Sequence, residues 1–144
     1  MAYSYDYLPD VAIADAAFAA RADTLTELFI AAALATAEVM VDIRSFRPII
    51  RQRISVQGDS REDLLYRWLS ELLYLKDVEY LIFVDYDIVI SETGGKVALE
   101  CTAGGEQIDP RRHTLGQDVK AVTYHLFEVK EVEGEYLARV VLDI

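Results

Sequence analysis

Cysteine occurs once in these 144 residues, at Cys101. No intrachain disulfide and no multi-cysteine zinc site can form, and nothing calls for an oxidising compartment. Proline and glycine are scarce, 3 and 7 in all, which excludes collagen-like, low-complexity and wholly disordered chains. No apolar run reaches the roughly 20 residues of a membrane span; the longest charge-poor stretch, residues 28–40, is interrupted by Glu38. The amino terminus has no basic region followed by an apolar stretch and a cleavage site, so a soluble cytoplasmic protein is expected, with no membrane partner. Positive charge is also in short supply: 14 Lys and Arg stand against 25 Asp and Glu, a formal charge of −11. The first 72 residues hold 11 acids and 7 bases and the last 72 hold 14 and 7, so neither half is basic. Direct nucleic-acid binding requires cations that displace phosphate counterions and is not expected here. The charge suits basic partners or cations, or simply maintains solubility.

What is present is a foldable amount of apolar residue. With 53% hydrophobic residues, a chain of this length folds as one domain, residues 1–144, burying roughly 68–70% of its unfolded surface. Residues 14–22 read as a strand. Thr24 and Glu27 form a capping box ahead of Leu25, Leu28, Phe29, Ala32, Ala33 and Val39 at helical spacing, which predicts a helix over 24–42; Pro48 forbids its continuation. Residues 49–57 alternate as a strand ending at Gly58. Ser60 with Asp63 opens a second helix whose Leu64, Leu65, Trp68, Leu69, Leu72 and Leu73 form an apolar stripe. Residues 80–91 are β-branched and aromatic, and Thr93-Gly94-Gly95 turns them into a partner strand over 96–103. A polar connection, 104–118, follows, then strands over 119–131 and 136–142 joined by Glu133-Gly134-Glu135. The order β-α-β-α-β-β-β-β predicts an α+β fold, two helices on one face of a mostly antiparallel sheet.

Few residues carry chemistry on their own. The Gly94-Gly95 and Gly104-Gly105 pairs lack the Lys-Ser/Thr or the helix of a phosphate-binding loop. Cys101 reads as a buried hydrophobe, His113 as a solvated loop residue, and His125 as a structural residue within the strand over 119–131. Asp85 and Asp87 share a strand face as solvating acids. Asp143 precedes the terminal Ile144 at a strand end, where its side chain and the main-chain carboxylate repel unless a cation or donor cluster lies between them; a frayed, screened terminus is the plainer reading.

Three blocks, DTLTELFIAAALATAEVM at 23–40, GDSREDLLYRWLSELLYL at 58–75, and the carboxy-terminal KAVTYH at 120–125 with the final Leu-Asp-Ile, together resemble the archease family, small proteins that assist RtcB-type RNA-splicing ligases. The resemblance covers most of the chain. It implies a non-enzymatic activator that promotes guanylylation and turnover of a ligase joining RNA ends with GTP and manganese. It also implies a divalent metal, calcium or else magnesium or manganese, held by Asp15, Asp143 and the carboxylate of Ile144. Ala12 and Ile13 stand where family members often carry His and Thr. Lys120 and His125 are candidate partner-interaction residues, with Asp118 as a salt-bridge partner for Lys120. Two other classes remain open at this point, a metal-dependent phosphoester hydrolase with His125 as base and a chaperone-like binding module. Oligomeric state is not legible.

Overall fold

The computed structural model describes residues 3–9 and 15–144. Eight strands and two helices follow one another as β1 (Tyr3–Tyr7), β2 (Ala16–Ala22), α1 (Leu25–Met40), a short 3-10 helix (Ile43–Ser45), β3 (Ile50–Gly58), α2 (Arg61–Glu79), β4 (Leu81–Thr93), β5 (Lys96–Gln107), β6 (Ala121–Val122), β7 (Glu128–Val132) and β8 (Glu135–Asp143). The fold is α+β with the element order expected, preceded by β1. Asp10, Ala12, Ile13 and the residue-14 start of the expected second strand lie outside the described residues.

The strands form two antiparallel sheets. One runs β1-β2-β8-β6 with β7 also on β8, the other β3-β5-β4. Both helices touch both sheets: α1 contacts β1, β2 and β8 on one side and β4 on the other, and α2 contacts β3, β4 and β5 as well as β6 and β7. A helix held between two apolar surfaces must be apolar around most of its girth. That is how α1 reads, with Leu28, Phe29, Ala31, Ala32, Ala33, Ala35, Thr36, Ala37 and Met40 all buried; its alanines let the neighbouring elements approach closely. In α2 the burial is one-sided, and Trp68 is fully buried, its indole N–H donating to the Phe29 carbonyl at 3.2 Å.

Local signals set the helix starts. The Thr24 hydroxyl accepts from the Glu27 amide at 3.1 Å and donates to the Glu27 carboxylate at 3.0 Å, while the Ser60 hydroxyl accepts from the Asp63 amide at 3.0 Å. Helix α1 stops at Met40 rather than 42. The carbonyls of Val39 and Met40 bond the amides of Gln117 and Gly116, and Asp42 instead caps the 3-10 helix. Gly94 and Gly95 take φ of 58° and 79° in the β4–β5 hairpin, a two-residue turn of the kind that requires positive φ at both positions.

Two expectations need correction. The strand over 119–131 is broken into β6 and β7: Ala121 pairs with Asp143, whereas Glu128 pairs with Arg139, so residues 123–127 leave the ladder. The connection at 104–118 starts later, because Gly104 to Gln107 continue β5 against β3 and β4.

Candidate functional site

The carboxy-terminal strand β8 lies between β2 and β6. Ala16 of β2 pairs with Leu142, and Ala121 of β6 pairs with Asp143. Asp15 immediately precedes Ala16 and Lys120 immediately precedes Ala121, so both adjoin the end of β8 that carries Asp143 and Ile144. The Lys120 amide donates to the Asp143 carbonyl at 2.7 Å. Asp15, more than a hundred positions away in sequence, thus comes to the same end of three adjacent strands as Lys120, Asp143 and Ile144. Leu142 beneath them is fully buried, while Asp15, Asp143 and Ile144 are half-buried and Lys120 is exposed. Among the described residues, no donor bonds the Asp15 or Asp143 carboxylate and no acid pairs with the Lys120 ammonium. No three His, Cys, Asp or Glu side chains converge among the described residues. Among the described residues, the oxygen donors near this end include the Asp15 and Asp143 side chains and the Ile144 carboxylate. The donors are all oxygen, which fits a hard divalent cation rather than a soft one.

Asp118 does not pair with Lys120. It receives the Lys76 ammonium at 2.7 Å, and Lys76 also reaches Asp77 at 2.8 Å and the Val119 carbonyl at 2.7 Å, with only 7% of its side chain exposed. Lys76 was hidden in the sequence by its chemistry. It continues the apolar ridge Leu65, Leu69, Leu72, and a lysine inside such a ridge is the available signal.

His125 is not in a strand. It lies exposed in the 123–127 excursion, where Leu126 takes φ 55° and Phe127 N bonds the Tyr124 carbonyl at 3.2 Å. The excursion is anchored rather than loose. Tyr124 stacks on Tyr66 of α2 with ring centroids 4.2 Å apart, and the Arg139 guanidinium bonds the Leu126 carbonyl at 2.9 Å. This carries His125 along β8 away from Asp143, toward Arg139.

His113 is buried, not solvated. Its ring stacks on Phe46 at 3.7 Å, Nδ1 accepts from the Asp109 amide at 2.9 Å, and Nε2 faces the Glu106 carboxylate at 3.5 Å. Glu106 is itself buried against Arg112 and accepts from the Arg47 amide at 2.7 Å. The run GEQIDPRRH thus folds inward as a charged clasp, for which the signal was an acid, two arginines and a histidine concentrated in one short segment. Cys101 is 1% exposed, and burial pushes its thiol up to about 12, which leaves no nucleophile there. Asp85 is tied to Arg51 at 3.2 Å, and Asp87 is exposed.

This arrangement is a two-sheet α+β domain with an acidic strand-end cluster at its carboxy terminus, and sequence comparison connects it to a family. Residues 5–144 match the model of the archease protein family. The protein archease of Pyrococcus furiosus is 40% identical over 132 residues, 91% of this chain and 93% of that one, and that of Methanothermobacter thermautotrophicus is 39% identical over 131 residues with the same coverage. The solution structure of Methanobacterium thermoautotrophicum protein 1598 superposes with a TM-score of 0.83 at 36% identity, covering 99% of this chain and 98% of the other. A crystal structure from Thermotoga maritima, described as an archease and possible chaperone, shares the fold with a TM-score of 0.61 at 18% identity, covering 92% and 93% of the two chains. The chain belongs to the archease family.

Proposed function

We propose that this protein is a non-catalytic activator of an RtcB-type RNA ligase, promoting its guanylylation and multiple turnover. The observation that supports the reading is the strand-end pairing of Ala16 with Leu142 and of Ala121 with Asp143, which brings the neighbours of Asp15 and Lys120 to the end of β8. Family membership and the acidic balance support it. A ligase that grips RNA presents basic surface, and a partner of charge −11 is attracted to that surface. Asp15, Asp143 and the Ile144 carboxylate would hold the divalent cation, calcium or else magnesium or manganese. When bound, the cation supplies positive charge to phosphate oxygens. The two acids keep that charge at the strand ends, and Lys120 adds a second cation one strand away for a phosphate or an acidic ligase group.

The test is GTP-dependent RNA joining with the ligase at substoichiometric amounts. The wild-type protein is expected to restore multiple turnover. Asp143→Ala is expected to reduce joining to the level of the ligase alone while leaving circular dichroism unchanged. Full stimulation by Asp143→Ala would overturn the reading.

A further inference from the structure

Lys76 has no part in the strand-end cluster, yet its surroundings connect it to one member. An ammonium shielded from water must find partners for its three N–H groups. Here two donate, to Asp118 and to the Val119 carbonyl, each at 2.7 Å, and Asp77 adds an ion pair at 2.8 Å. Asp77 adjoins Lys76 on α2, but Asp118 and Val119 belong to the segment that leads into β6. The last turn of a helix favours a cation through its dipole, so α2 ends on a charge that grips this distant segment. The grip acts immediately before Lys120. Val119 is fully buried, and one residue later the Lys120 amide bonds the Asp143 carbonyl. β6 itself comprises only Ala121 and Val122; the Thr123 amide and hydroxyl fix its far end to the Val141 carbonyl, both at 3.0 Å, so the end that carries Lys120 is the one Lys76 secures. By contrast, Asp15 and Asp143 adjoin the end of the seven-pair β2–β8 register, which Lys76 does not touch.

We infer that Lys76 is a positioning residue: through Asp118 and the Val119 carbonyl it sets Lys120 beside the chain terminus, apart from the seven-pair β2–β8 ladder that adjoins the two acids. The role of that placement in ligase activation rests on the proposed function; the placement itself does not.

The two are separated by measuring both. In Lys76→Met, residue-resolved amide exchange is expected to accelerate roughly tenfold or more at Lys120 and stay unchanged at core amides of β2 and β8. Calcium or manganese binding, followed by calorimetry on the protein alone, is expected to stay within about twofold of wild type. In the joining assay, maximal stimulation is expected to fall roughly 10–100-fold, the usual cost of losing a supporting contact, with the half-saturating concentration unchanged. Asp118→Ala, which removes an exposed partner, provides the same readouts should Lys76→Met fail to fold. Unchanged exchange at Lys120 in a folded variant overturns the inference. So does a loss confined to half-saturating concentration, which would make Lys76 a docking residue. Accelerated exchange with full stimulation overturns the functional half alone. A wild-type protein that does not stimulate the ligase sinks the proposed function and leaves the exchange data to decide the placement.

Discussion

Glu106 enters the clasp beneath the connection between β5 and β6 with only 4% of its side chain exposed. The Arg112 guanidinium, the Arg47 amide and His113 favour its ionised form and together hold it down to about 2, from an ordinary 4.5. A carboxylate depressed in the folded state contributes stability that is fully present above its unfolded value and is lost as pH falls through its folded value. Thermal unfolding across a pH series is therefore expected to show a falling midpoint from about pH 5 toward pH 2. Glu106→Gln should lower the midpoint at neutral pH and flatten that acid limb. A variant curve parallel to wild type would assign the acid sensitivity to other depressed carboxylates, such as Asp63 and Asp109. At this scale the sequence was a poor guide. His113 stood in a polar run without apolar periodicity, and its burial rests on stacking against Phe46 and on the Asp109 amide that bonds Nδ1.

Elements built from local signals were legible. Thr24 with Glu27, Ser60 with Asp63 and Gly94 with Gly95 each act within a few residues, so their geometry depends little on the rest of the chain. Gly104-Gly105 misled because a glycine pair reads as a turn. Its actual role comes from β4, whose ladder shifts register between Phe83 and Asp85. A Cβ on Gly105 would lie 2.0 Å from the Ile82 carbonyl oxygen and 2.7 Å from the Phe83 Cα, so the strand accepts glycine there for close backbone approach. Gly105→Ala is expected to cost about 1–3 kcal/mol, read as a lower urea midpoint at unchanged slope. An unaltered midpoint would mean that the bulge relaxes without cost. The break between β6 and β7 was equally invisible, since TYHLF alternates well enough to pass for strand; stacking of Tyr124 on Tyr66 and the Arg139 bond to Leu126 support the excursion.

For the whole molecule, the charge of −11 acts over distance more than at any one contact. Among the described residues no helix is long and apolar enough to cross a membrane. Association with the proposed basic ligase should slow as salt rises, because the Debye length shrinks from about 30 Å at 0.01 M to about 8 Å at 0.15 M. Dissociation should change much less, since steering acts on the encounter. Stopped-flow association at several ionic strengths checks this. An on-rate independent of salt would assign the acidic balance to solubility alone.

Composition, capping pairs, turn glycines and apolar periodicity determined the α+β class, the two helices and the order of the elements they anticipated, because these signals are local and redundant. Asp143 and the neighbouring main-chain carboxylate stood out from their place at a strand end, whereas Asp15 was reached only through family resemblance, since nothing in spacing connects residue 15 with residue 143. Tertiary structure decided the rest: the division of strands into two sheets with both helices between them, the strand pairing that brings the ends of β2 and β6 to the end of β8, and the pairing of Lys76 with Asp118. Those contacts join segments far apart in the chain. Their energy exists only once the sheets and helices have met, so no window of sequence contains it.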